Sequence, residues 1–461
     1  MFSLIARETK IFQQVHRPDP QSTSMTVLLD SCTAVPNGAV PLSLAERRPL
    51  RVAFFGWIDR GSGAEQLTRK TVEGLNERGH EARLYARTVV DPTSYTREIG
   101  YLRREIGVEA LLRRCTGWND FFFLSTWLFA RDPWLRDADV WHFHNVHGNY
   151  LSLPALSWHS RRRRIVLSPV DQFLTTGYCP YTNDCERYKI GCGKCPQLDL
   201  PYPSISRDAT KRLWKMKRAA IKRGKFHFVL HTDYLLRHYK ETLHLRQDIR
   251  HIPYGVDVSV NRPLPREECA AELQIATSKK LVVGLFHSDV LEARKGLLPL
   301  LRGLQRIARE LPGAIQVLVV GRNSDRAQSL ATRELSVVSV PFRRTEAELA
   351  QALNLCDVLL YPTRAENMSL TCLCALSCGV PVVTSRVGGQ SEAVVDGYNG
   401  LLTPPGDDEA ILNAVRRLAN DRGLQRQMSL NARASAVDRF DMAVYVNRLI
   451  EYYYGSVLAG A

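Results

Sequence analysis

The sequence predicts an α/β protein with two doubly wound domains facing a cleft. Three observations predict it. From residue 51 a strand, a glycine-rich turn, a helix and a second strand follow one another, which is one βαβ unit. From about residue 280 strands and helices alternate, the pattern of a mostly parallel sheet covered on both faces. Between the two series, Pro253-Tyr-Gly-Val-Asp257 and Asn261-Arg-Pro-Leu-Pro265 form a proline-rich polar stretch that suits a linker.

The first strand is Arg51-Val-Ala-Phe-Phe-Gly56, an apolar run ahead of Gly61-Ser62-Gly63. The helix that follows spaces Ala64, Leu67, Thr71 and Leu75 along one face and stops at Arg78-Gly79, a cation and a helix-ending glycine. The next strand is Ala82 to Ala86. A later one, Val140-Trp-His-Phe-His144, ends in polar residues, as strands do at an α/β ligand crevice. In the second series the strands are Leu281–His287, Ile315–Gly321, Asp357–Tyr361 and Val380–Thr384. The helices are Gly296–Leu311, Glu346–Leu355, Ser369–Cys378 and Glu409–Ala419. The domains are therefore expected at 50–258 and 259–440, with a last helical segment at 441–461. Residues 1–49 have no periodicity and no secretory pattern, and read as a poorly ordered extension.

Composition narrows the class. The 461 residues are 45% hydrophobic and 24% charged, which excludes disordered, collagen-like and coiled-coil chains. The net charge of +15 favours anionic partners: phosphorylated metabolites, an anionic membrane or nucleic acid. No apolar run approaches the roughly 18 residues of a membrane span, and 121–130 is interrupted by Ser125 and Thr126. Eleven cysteines in a chain this long do not make a disulfide scaffold, and the cytoplasm is the default compartment.

The strongest segment for chemistry is Tyr361 to Val383, continuing to Val387-Gly-Gly389 and Glu392. A strand ends at Tyr361, a loop carries Glu366, and a helix starts near Ser369, so the backbone amides of Asn367, Met368, Ser369 and Leu370 face the cleft as an anion site. An ordinary capped strand–helix junction has the same look. Arg294-Lys295-Gly296 offers two cations to the same cleft, or a solvated surface pair. Gly61-Ser62-Gly63 is not GxGxxG, which argues against a nicotinamide or flavin site. Cys179, Cys185, Cys192 and Cys195 end in a Cys-x-x-Cys and read either as a structural zinc site or as a loop of free or paired thiols. Residues 207–225 carry nine cations against Asp208, and Arg161 to Arg164 add four, a face for solvent or for an anionic bilayer. Nucleic acid is not expected, for want of a recognition motif.

Together, Gly63-Ala64-Glu65, Arg78-Gly-His-Glu81, Pro253 to Asp257, Arg294-Lys-Gly296, Glu366-Asn367, Cys378-Gly-Val-Pro-Val-Val383 and Val387 to Glu392 resemble retaining glycosyltransferase family 4, with the GT-B fold. The resemblance runs from about residue 50 to the C-terminus. His142-Phe-His-Asn-Val-His-Gly148, Gly177-Tyr-Cys179 and Cys192 to Gln197 further resemble the colanic-acid and exopolysaccharide branch. The resemblance implies an N-terminal acceptor domain, a C-terminal nucleotide-sugar domain and a last helix crossing back over the first domain. It implies that Arg294 and Lys295 hold the donor diphosphate, that Glu366 contacts the donor sugar, that the amides of Met368 to Leu370 grip phosphate, and that Gly63 lets phosphate approach. His144 and Asp171 are the expected catalytic partners of Glu366, with His147 a further polar group of the cleft. Two positions depart from the family. Its second glutamate, which binds ribose, is Cys374 here, and its usual histidine ahead of the aromatic–Gly–Cys stretch is Val170. The expected function is transfer of a sugar from a nucleotide-sugar to a glycan or lipid-linked glycan, with retention, in the cytoplasm and peripheral to the inner face of the membrane. No cofactor is expected in catalysis. The alternative is a catalytically weakened GT-B protein that binds or scaffolds.

Overall fold

Strands read from apolar runs are buried on both faces, as parallel sheets require. In β1 (Arg51–Ile58), Val52 and Phe54 join one apolar cluster and Ala53 and Phe55 the other. The computed structural model describes residues 47–61, 63–100, 105–120, 122–198, 207–244, 249–276, 280–292 and 296–459. The expected extension at 1–49 thus lies outside the described residues except at its end, and so do Ser62, Arg294 and Lys295.

The first sheet holds β1, β2 (Glu81–Thr88), β3 (Thr96–Glu98), β4 (Val140–Phe143), β5 (Ile165–Leu167), β6 (Phe226–Leu230) and β7 (Ile249–His251). All its pairs are parallel, in the order β3-β2-β1-β4-β5-β6-β7. The second holds β8 (Leu281–Asp289), β9 (Ile315–Arg322), β10 (Ser336–Val340), β11 (Val358–Tyr361), β12 (Val382–Ser385) and β13 (Gly400–Thr403). It is also parallel, in the order β10-β9-β8-β11-β12-β13. Each sheet reverses its order of growth beside its first strand, at β1/β4 and at β8/β11. Crevices open beyond the strand ends at such switch points.

Two crossings join the sheets. The proline-rich stretch is one and the chain after Phe440 is the other, and they are tied together: Val256 N donates to Phe440 O at 2.8 Å and Met442 N to Val256 O at 3.0 Å. The helix Met442–Tyr452 then lies against the first helix, Gly63–Glu77. A Cβ at Gly74 would stand 2.9 Å from Val446 Cγ2, so that close approach needs glycine. Arg78 Nε donates to Asn447 Oδ1 at 2.7 Å on the same contact.

Candidate active site

The cleft between the sheets holds two connected cavities. The larger, about 600 Å³, is lined from the first domain by Gly63, His147, Asp171 and Tyr181 and from the second by Glu366, Met368 and Leu370, among others. The smaller, about 130 Å³, lies deeper toward β8 and β9, against Lys70, Phe286, Phe342, Glu346 and Cys374. Gly63, His287, Ser288, Leu370 and Thr371 border both.

Glu366 sits in the loop after β11. Its carboxylate is fixed from both sides: Tyr361 of its own domain donates to Oε2 and Tyr181 of the opposite domain to Oε1, each at 3.1 Å. The loop keeps its path because Gly388 presses on it. At φ +53°, a Cβ on Gly388 would stand 1.7 Å from Glu366 O. The helix Leu370–Ser377 starts immediately afterwards, with Ser369 Oγ capping it by accepting from Cys372 N at 3.3 Å. Gly63 faces this terminus, a Cβ there lying 3.4 Å from Leu370 Cδ1. An anionic ligand between them meets a helix N-terminus on one side and bare backbone on the other.

The four amides expected at this terminus divide. Ser369 N is already taken by Gln390 Oε1 at 3.0 Å. Asn367 is buried away from the cleft, its side chain accepting from Thr232 Oγ1 at 2.7 Å and donating to Tyr254 Oη at 2.9 Å. It ties the two domains together and does not line either cavity. Met368 and Leu370 line the large cavity, and their amides have no hydrogen-bond acceptor among the described residues. The anion site of the sequence therefore reduces to these two amides.

A second correction concerns His144. It is 0% exposed and borders neither cavity. Its ring lies between Thr68 Oγ1 at 2.9 Å and Tyr445 Oη at 3.2 Å, and burial, reinforced by His142 and His231, pushes its pKa well down. A neutral core imidazole has replaced the expected cleft residue. Of the histidines between residues 142 and 147, the one that reaches the cleft is His147, whose Nε2 stands 2.5 Å from Asp171 Oδ2. Burial alone would lower its pKa. Asp171, with Asp120 behind it, outweighs burial and holds it above the ordinary histidine value. Val170 lines the same cavity beside this pair.

Cys374 is buried at the small cavity, where burial and then the charge of Glu346 keep its thiol protonated. Cys179, Cys185, Cys192 and Cys195 surround one further small cavity, none in a disulfide, and Gly177 N donates to Cys192 Sγ at 3.3 Å. Among the described residues no three His, Cys, Asp or Glu side chains stand in a metal-holding arrangement. The cysteine loop nonetheless matters to the site, because it carries Tyr181. Sequence reasoning also passed over Lys70, Glu346, Phe286 and Phe342, whose proximity is tertiary and leaves no local signal.

Residues 281–421, the second sheet and most of its helices, match the family described as Glycosyl transferases group 1. Sucrose-phosphate synthase from Thermosynechococcus elongatus superposes with a TM-score of 0.62 at 17% identity, over 89% of this chain and 100% of that one. Anabaena HepE in complex with UDP-glucose does so with a TM-score of 0.57 at 17% identity, over 88% and 100%. These likenesses establish the GT-B fold. In sequence, the chain is 31% identical over 220 residues to a D-inositol 3-phosphate glycosyltransferase of Nocardia farcinica, which is 45% of this chain and 48% of the relative. The chain thus spans about half the length of that curated relative.

Proposed function

We propose that the protein is a retaining glycosyltransferase of the colanic-acid and exopolysaccharide type. It moves a sugar from a nucleotide-sugar to a glycan or lipid-linked glycan in polysaccharide biosynthesis, at the cytoplasmic face of a membrane. The observation that carries the reading is Glu366, held by a tyrosine from each domain at the wall of the 600 Å³ cavity, directly ahead of a helix terminus that faces Gly63. A sugar diphosphate matches that order of groups. Its hydroxyls donate to Glu366, and its diphosphate takes the amides of Met368 and Leu370 against Gly63. The matching family domain and the UDP-glucose held by Anabaena HepE support a nucleotide-sugar as donor.

In the transfer, the bond from the anomeric carbon to the diphosphate oxygen breaks and a bond from an acceptor oxygen to that carbon forms. The acceptor's proton ends on the departing diphosphate. Retention in a single displacement places both events on one face of the sugar, with the diphosphate itself beside the incoming hydroxyl. The protein's part is to orient the sugar and to meet the charge that grows on the leaving group. Arg294 and Lys295 belong to that part, and the His147–Asp171 pair borders the acceptor side.

Membrane contact fits the far side of the first domain. Trp127 and Trp158 are 41% and 42% exposed, their rings 5.8 Å apart, and Arg162 lies 5.6 Å from the Trp158 ring. Exposed Arg161, Lys211, Arg212 and Lys215 stand on neighbouring elements. Amphipathic aromatics among cations suit an anionic interface. No helix among the described residues is long and apolar enough to cross a membrane.

Calorimetric titration with UDP-, GDP- and ADP-sugars tests the proposal. One class binds, and its free diphosphate competes. If no class binds, the proposal fails. Binding without any turnover would leave the weakened, binding-only alternative that Cys374 raises.

A further inference from the structure

The small cavity carries a group that the large one does not need. Glu346 opens the helix Glu346–Leu353, but it does not cap it. The capping box belongs to Thr345 and Glu348. The Glu346 carboxylate is turned instead to the cavity, beside Cys374 and Lys70. Its Oε2 is buried and accepts no hydrogen bond, its counter-charge being Lys70 Nζ at 3.5 Å. That ammonium is shared, because Glu73 and Asp257 lie 3.4 and 3.6 Å from it. A buried carboxylate with an unfilled acceptor, next to one cation divided among three acids, is short of hydrogen-bond donors.

The rest of the cavity says which donors fit. Phe286, Val320, Phe342 and Leu349 make its walls apolar, suited to a flat ring. Arg343 and Arg344 line the cavity too, but around the Glu346 carboxylate itself Glu73 and Asp257 share the one ammonium of Lys70, and a phosphate is disfavoured at that spot. Hydroxyls are not, and two neighbouring hydroxyls match the two oxygens of a carboxylate. A flat aromatic base joined to a ring with a vicinal diol is what the ribonucleoside of a nucleotide-sugar offers. The junction of the cavities at Gly63, Leu370 and Thr371 then receives the diphosphate, and the larger cavity the sugar. Cys374 cannot take the diol in place of Glu346, since a protonated thiol is a weak acceptor.

Resting on the reading of the cleft as a nucleotide-sugar site, we infer that Glu346 is the residue that selects ribonucleotides, accepting the hydrogen bonds of the ribose 2′- and 3′-hydroxyls. Lys70 is a positioning residue. It reaches from the first domain to hold the carboxylate of the second, so nucleoside binding and domain closure share one contact.

The test is calorimetric binding of a nucleoside diphosphate of the base that binds best, and of its 2′,3′-dideoxy analogue, to the full chain and to Glu346→Gln. Wild type binds the ribonucleotide about tenfold or more tightly than the dideoxy form, the effect of one charge-assisted hydrogen bond or more. Glu346→Gln loses that preference by weakening the ribonucleotide alone. A merely structural role for Glu346 would weaken both ligands together, and that result overturns the inference. So does equal binding of the two ligands by wild type. If no nucleotide binds wild type at all, the nucleotide-sugar reading falls with it, whereas tight binding without ribose preference removes only the inference. Glu346→Asp, which keeps the charge and shortens the reach, serves if Glu346→Gln does not fold, and the same collapse of the preference is expected of it.

Discussion

Glu366 and His147 border one cavity but are held by different means, and the difference sets what each will show. Glu366 rests on two neutral hydroxyls. His147 rests on a carboxylate at 2.5 Å, which raises its pKa against the pull of burial. A raised pKa means that the folded protein holds the proton more tightly than the unfolded chain. The contribution to stability is therefore complete below the ordinary histidine value near 6.5 and is lost as pH rises through the raised value. Asp171→Asn should lower the melting temperature most near pH 6, by the equivalent of about 3–5 kcal/mol, and progressively less toward pH 9. A loss that does not change with pH would mean that the histidine is neutral throughout. Residues of this kind were only half legible in the sequence. Glu366 sits in a run whose local pattern points at a strand end, whereas Asp171 is legible only through the family resemblance. His144 was misplaced because its burial depends on Tyr445, 301 residues away, and Asn367 because its partners are Thr232 and Tyr254.

The elements were more legible than the residues. Apolar runs such as Leu281–Phe286 and Val358–Tyr361 announce buried parallel strands, because both of their faces are covered. The strands that escaped are β3, β5, β6, β7, β10 and β13, most of them short or half-exposed, although β6 is a five-residue strand buried at all but His227. β3, β5 and β7 have three residues each, and β10 is buried only at Val340. What no periodicity conveys is how one loop braces another, and Gly388 shows it. Gly388→Ala places a Cβ against Glu366 O in a left-handed backbone. It should cost about 2 kcal/mol or more, above the 1–2 kcal/mol of the conformation alone, and displace Glu366 enough to reduce donor turnover. Gly397→Ala is the control, since its φ of +76° carries the same conformational strain with nothing within 4 Å. It should cost about 1–2 kcal/mol and leave turnover unchanged. Equal effects of the two substitutions, read by thermal melts and turnover, would remove the bracing role.

At the scale of the molecule, the domains are joined at the back by paired crossings and in the cleft by charged and polar bridges: Lys70 to Glu346, Tyr181 to Glu366, and Glu392 to the amides of Asp233 and Tyr234 at 2.8 and 2.9 Å. The net charge of +15 is not spread evenly through the basic segment. Lys217 turns into the core, donating to Phe173 O at 2.8 Å, and burial lowers its pKa to about 7. The sequence gives no sign of this exception in a run of nine cations. Lys211, Arg212 and Lys215 on the same helix and Arg161 and Arg162 are exposed, and the proposed membrane contact rests on them. Arg161→Gln with Arg162→Gln should weaken binding to anionic vesicles by about 2 kcal/mol, roughly thirtyfold, since each surface cation contributes about 1 kcal/mol. Turnover of a donor free in solution should not change. Binding that ignores both arginines, or that is as strong to neutral vesicles, would place the membrane contact elsewhere.

In the proposed reaction the cleft transfers a sugar that Glu366 orients. The most direct measurement follows donors labelled with ¹³C at the anomeric carbon by NMR, in wild type and Glu366→Gln, reading diphosphate release and the configuration of the product before it equilibrates. Wild type is expected to release the diphosphate, and the product to keep the donor's anomeric configuration. Glu366→Gln is expected to fold normally but to turn over about ten- to a hundredfold more slowly, the loss of about 1.5–3 kcal/mol of charge-assisted hydrogen bonding. Inversion at the labelled carbon, or full activity in Glu366→Gln, would contradict the proposed reaction.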